Sequence, residues 1–145
     1  MSSETLNFSV EPTDPAVPLT LAVYVNDQCC FGPASIDKPV TVSHEINDEE
    51  EQQYQVRIEM SGKTDAHTKI DDQGNIIKDA LLKFSAFEVM GIDIDTVMSK
   101  KAKYHHNHNG HSEDIEQTFA MSMGCNGSVE FTFTTPIYLW LLENL

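Results

Sequence analysis

Two groups of side chains in this sequence are of types that could do chemistry. The first is the run of His105, His106, His108 and His111. Imidazole nitrogens bind zinc, nickel or copper. On an extended strand His106 and His108 would face the same side, a spacing that suits two ligands, with a third, acidic ligand supplied from elsewhere. Residues 104–111 are otherwise polar, and Asn109-Gly110 marks a tight turn, so a surface loop is the preferred reading. The second group is Asp71, Asp72, Asn75 and Asp79, whose hard oxygens could hold calcium. An EF-hand register with Gly74 at the invariant glycine would put Lys69 at the first ligand position and Ala80 at the last, which excludes it. A calcium site of another kind competes with a plain turn in which Asp and Asn satisfy backbone amides, and the turn is preferred. The sequence therefore predicts no structural transition metal, and calcium as the only cofactor to be considered. No Ser-His-Asp or Cys-His arrangement can be argued, and the expectation is a protein that is not an enzyme.

The elements that must position these groups are mostly strands. Residues 54–60 alternate apolar and polar as a half-buried strand does, and a second long apolar run spans 79–92. The polar stretch 61–75 between them ends in Asp71-Asp72-Gln73-Gly74-Asn75, a reversal signal, which predicts two neighbouring core strands joined by an acid-rich excursion. Residues 19–25 and 39–46 alternate too, with His44 on the apolar face beside Val40, Val42 and Ile46 as a hydrogen-bonded inner histidine. Strands are also predicted over 116–123 and 128–134, with Gly124-Cys125-Asn126-Gly127 as a hairpin connection. Residues 93–103 leave helix and loop open. The acids at 48–51 read as a solvated loop. Many short strands with turns between them indicate an all-β protein, an antiparallel β-sandwich of jelly-roll-like type with a short C-terminal helix or apolar tail. Residues 1–18, with three prolines, read as an N-terminal arm or an irregular edge, with a short strand over residues 6–10 as an open alternative, and 19–145 as one sandwich domain.

The tail has Thr135 as helix cap and Pro136 at the first helical position. It is apolar nearly all round, so it must pack into the sandwich or under a neighbouring subunit. Ile137, Trp140 and Leu141 are the interface candidates, with the indole of Trp140 as anchor.

A formal net charge of −14, from 23 acidic and 9 basic residues in 145, narrows the partners. Such a surface repels nucleic-acid phosphates and anionic membranes and suits cations or a basic protein. It also counts against the nuclease family suggested by the letters His-Asn-His, whose residues are in any case spread over a hairpin and helix. Three cysteines, Cys29, Cys30 and Cys125, form neither a disulfide framework nor a zinc spacing, and are expected to be buried free thiols. No secretory signal is visible and no apolar run approaches the ~20 residues of a membrane span. Synthesis as a soluble product of the cytoplasm is the expectation.

Two resemblances add to this. The stretch 54–91, with Asp71-Asp72-Gln73-Gly74-Asn75-Ile76 before a strand ending Val89-Met90-Gly91, resembles the penultimate strands of jelly-roll carbohydrate-binding modules. That implies a calcium-linked glycan site near Asp71, Asp72 and Asn75. The combination of Lys63-Thr64-Asp65-Ala66-His67-Thr68, the same Asp71-Asp72-Gln73-Gly74-Asn75-Ile76, Tyr104-His105, Asn109-Gly110, Met123-Gly124-Cys125-Asn126-Gly127 and the tail from Thr135 to Asn144 resembles small proteins of tailed phages that infect cyanobacteria and marine bacteria. This second resemblance implies a non-enzymatic virion component, decorating the capsid or attached to the neck or tail. It would be made in the host cytoplasm, and its partners would be other phage structural proteins, with the chain a homo-oligomer or arrayed subunit.

Overall fold

The computed structural model describes residues 5–64, 68–70, 72–73, 76–110 and 112–144, with the backbone alone over 68–70 and 76–79. The chain is an all-β antiparallel sandwich closed by a short C-terminal helix. One layer, sheet A, contains β1 (Thr5–Pro12), β4 (Val40–Glu45), β8 (Leu82–Val89) and β12 (Ser122–Met123) in the order β12-β8-β1-β4, with β9 (Ile92–Asp93) turned back onto β8. The other, sheet B, contains β2 (Thr20–Val25), β3 (Gln28–Ser35), β5 (Gln52–Ser61), β10 (Lys103–His106), β11 (Ile115–Thr118) and β13 (Gly127–Thr135) in the order β11-β10-β13-β5-β2-β3. A separate hairpin pairs β6 (Thr68–Ile70) with β7 (Ile76–Asp79). Helix α1 (Asp95–Lys101) follows β9, and α2 (Ile137–Asn144) follows β13.

Period-two alternation builds the core. In β5, Tyr54, Val56, Ile58 and Met60 are buried while the residues between them are not, and in β13 Val129, Phe131 and Phe133 do the same. Sheet A contributes Phe8, Phe84 and Phe87, with Phe8 stacked on Phe87 at 4.7 Å and Phe119 edge-on to Phe84 at 5.4 Å. Sheet B contributes Tyr54 stacked on Phe133 at 5.3 Å. Aromatic pairs in these geometries add to the area they bury.

Four expectations need correcting. Residues 5–12 are neither an arm nor an irregular edge: the short strand read over 6–10 is the longer β1, which lies inside sheet A, paired with β4 on one side and β8 on the other, and buries Leu6, Phe8 and Val10. Pro12 ends the strand, Pro15 and Pro18 lie in the loop after it, and the alternation before Pro12 decides the structure. The two long strands of the central unit are not neighbours: β5 is in sheet B and β8 in sheet A, so the chain between them crosses the sandwich. Likewise 124–127 is no hairpin, because β12 belongs to sheet A and β13 to sheet B. The predicted strand 116–123 is two pieces, β11 and β12, in opposite sheets, with Met121 at φ 65° in the break. β3, with Gly32-Pro33 and register shifts against β2, has no alternation to betray it, and it is an edge strand, where a proline is tolerated.

Candidate interaction surface

The α2 end of the molecule is built from three parts. Thr135 finishes β13 with its hydroxyl donating to the carbonyl of Glu50 at 2.5 Å. The helix then begins at Ile137, whose N–H donates to Asp48 Oδ1 at 2.8 Å. The cap is thus a carboxylate from the β4–β5 loop, 89 residues away in sequence, rather than Thr135. A negative side chain at a helix N-terminus satisfies an otherwise unpaired N–H and opposes the helix dipole. The run 48–51, expected as a solvated loop, therefore has two structural duties, at Asp48 and at the Glu50 carbonyl.

The helix is apolar around its circumference, and packing divides it. Ile137 is fully buried, and Trp140 meets Phe131 at 5.6 Å and Phe133 at 6.3 Å, both edge-on. Leu141 is half-buried against the same core. Facing outward are Tyr138, Leu139 and Leu142, which are 67%, 56% and 78% exposed. Of the three proposed interface residues, Ile137 and Trp140 are used up inside the domain, and the free apolar surface belongs to residues that were not singled out. Beside Leu139 a cleft of ≈ 370 Å³ opens between α2 and the start of β5, lined by Pro136 and Trp140, Gln52 and Gln53, and the carboxylates Glu51 and Glu143.

The opposite end is a polar clasp. Asn126 Oδ1 accepts from the Lys63 N–H and its amide donates to the Lys63 carbonyl, both at 2.9 Å. The Asn126 N–H donates to Asn109 Oδ1 at 2.7 Å. Lys63, a buried lysine, donates from Nζ to the Gly124 carbonyl at 2.5 Å. The Tyr104 hydroxyl accepts from the Cys125 N–H at 2.9 Å and donates to the Cys125 carbonyl. Burial pushes that phenol up to about 12. A Cβ on Gly127 would collide with the His105 carbonyl, so the close approach of β10 and β13 there requires glycine. Lys63, Tyr104, Asn109 and residues 124–127, scattered in sequence, are brought by the fold to one place.

The histidines separate. His105 and His106 lie in β10, paired on both sides, so the first half of the run is strand rather than surface loop. His106 turns inward, buried, its ring 4.6 Å from that of Tyr104 and edge-on to His108 at 4.7 Å. Its Nδ1 accepts from the His108 N–H at 3.1 Å. Burial lowers its pKa below the ordinary value, opposed by a hydrogen bond to the Gln117 side chain and reinforced by the neighbouring His108. His108 and Asn109 take left-handed φ in the turn. His105 points outward, with Nε2 3.7 Å from Glu130 and 3.8 Å from Glu116. It belongs to a charged face on sheet B where Arg57 bonds Glu59 at 2.9 Å and Asp27 at 3.1 Å and lies 4.6 Å over the Tyr24 ring. Ser128 is the cross-strand partner of His105.

For the calcium reading, Asp72 is exposed in the β6–β7 turn, while Asp71 and Asn75 lie outside the described residues and only the backbone of Asp79 is described. His111 lies outside them as well. Among the described residues no group of three or more His, Cys, Asp or Glu side chains is arranged to hold a metal ion. Cys29 is exposed, and Cys30 and Cys125 are half-buried, which corrects the expectation of buried thiols. Among the described residues no helix is long and apolar enough to cross a membrane. Comparison of the chain with family models, with curated proteins and with solved structures returns no match in any of the three.

Proposed function

We infer that this chain is a non-enzymatic structural subunit that docks onto a larger assembly through the outward face of α2, and that the assembly is the particle of a tailed phage. The observation that carries the docking is the outward set of Tyr138, Leu139 and Leu142 on a helix whose other side is anchored in the core. Covering one such side chain is worth roughly 1.5–3 kcal/mol, so a rigid helix offering three of them is a strong attachment point. The particle setting rests on the sequence resemblance carried by residues 63–68, 71–76, 104–105, 109–110 and 123–127 and by the tail. The acidic surface suits a part that meets proteins rather than nucleic acid or anionic lipid.

The test is incorporation. The wild-type chain and Leu139→Ser/Leu142→Ser are expressed with an affinity tag during infection, and copies per purified particle are counted. The wild type should co-purify with particles at fixed stoichiometry, and the variant should be lost from them while keeping its thermal midpoint. Equal incorporation of both would overturn the docking role of α2, and absence of the wild type from particles would overturn the virion role.

A further inference from the structure

Taking the docking face of α2 as its starting point, the surroundings of that face specify what sits on it. We propose that the cleft beside α2 receives a Lys or Arg side chain from a segment of a partner protein, with apolar residues of the same segment covering Leu139 and Leu142. The cleft walls are apolar at Pro136, Leu139 and Trp140, and carboxylates stand at its rim, Glu51 on the β5 side and Glu143 on the helix. A long basic side chain matches that layout, an aliphatic stem along the apolar wall and a cationic head at the rim. Among the described residues neither Glu51 nor Glu143 is in an ion pair, so both charges are open to an incoming cation. The other flank of α2 differs: the depression there is lined by Lys101 and Lys103 together with Glu116 and Glu130. The two flanks therefore read orientation as well as composition, with the basic residue directed to the Glu51 side. A second copy of this chain is the poorer occupant, because two bodies of −14 repel on approach.

Two short fluorescein-labelled peptides of equal length test this, one built of Leu, Lys and Gly, the other with Glu in place of every Lys. Fluorescence anisotropy on the full chain should report binding of the Lys peptide, weakening with salt, and none of the Glu peptide. Glu51→Gln/Glu143→Gln should bind the Lys peptide about fivefold to tenfold more weakly, as expected for losing two partly exposed ion pairs. Glu11→Gln/Glu113→Gln, which removes two exposed charges elsewhere, should bind it as the wild type does. Equal weakening by both double variants would mean that the overall charge, not this cleft, attracts the peptide, and would overturn the proposal. Equal binding of both peptides would overturn the basic preference while leaving α2 as an apolar docking face. Binding of neither peptide would also overturn the proposal, as would a wild-type chain that sediments as a dimer dispersed by Leu139→Ser/Leu142→Ser. The incorporation count judges the docking reading independently of these results.

Discussion

The two ends of this sandwich spend their side chains in opposite ways. At the clasp, Lys63, Tyr104, Asn109 and Asn126 turn their polar groups on the backbone of neighbouring segments, through bonds of 2.5 to 2.9 Å. At the α2 end, Tyr138, Leu139 and Leu142 turn apolar surface to water. The polar groups of the clasp are directed inward, to the backbone of the same domain. The helix face is open because the core has room for only one side of it. Polar side chains are thus bonded internally at one end, and ordinary leucines stand in water at the other.

Substitutions sharpen this contrast, and the largest effect belongs to the buried side of α2. Trp140→Ala removes the ring that meets Phe131 and Phe133 and should cost about 3–5 kcal/mol in urea unfolding. A loss below that of an ordinary surface change would mean that the helix is not part of the core. Next comes the clasp: Asn126→Ala strands the Lys63 N–H and carbonyl and should cost about 1–3 kcal/mol, with faster amide exchange at Lys63. Asp48→Ala deletes the remote cap of α2 and should cost about 1 kcal/mol, while Asp48→Asn keeps most of that stability.

The pH dependence from His106 is smaller. Its folded pKa lies below the unfolded value of about 6.5, so the unfolded chain binds the extra proton first. Its contribution is complete above about pH 6.5 and declines as pH falls from there toward the folded pKa. The thermal midpoint of His106→Gln should therefore vary less with pH across that window than the wild type's, and an unchanged slope would count against the buried, neutral imidazole. The smallest stability effect is that of Leu142→Ser, within about 0.5 kcal/mol, because the side chain is mostly in water already. If Leu142→Ser destabilised as much as Asn126→Ala, the division between an anchored and an open side of α2 would fail.

Strands were legible in the sequence wherever alternation was clean, as in residues 19–25, 54–60 and 128–134. Alternation tells which residues share a face, but it carries no information on which sheet a strand joins. That is why β5 and β8 read as neighbours and why 124–127 read as a hairpin. The clasp residues were visible only as scattered Asn-Gly and Tyr-His pieces, since their common purpose exists only after the chain has folded. The apolar tail was recognised, but not its outward side: a helix apolar all round gives no hydrophobic direction, and Phe131 and Phe133 choose the side that is buried. Asp48 had no local signal as a cap, because the helix it serves lies at the other end of the chain.

The position of β13 between β10 and β5 has a consequence for biosynthesis. It is the last strand in chain order, yet it joins the two halves of sheet B, so during translation both β5 and β10 wait with an unpaired edge. Contacts so distant in sequence form slowly, and open strand edges are templates for wrong pairing. Sheet B stays split in two until β13 is inserted between β5 and β10. Insertion of β13 between β5 and β10 should therefore be a late step of folding, read as amide protection over residues 127–135 that appears after that of the local β2–β3 pair.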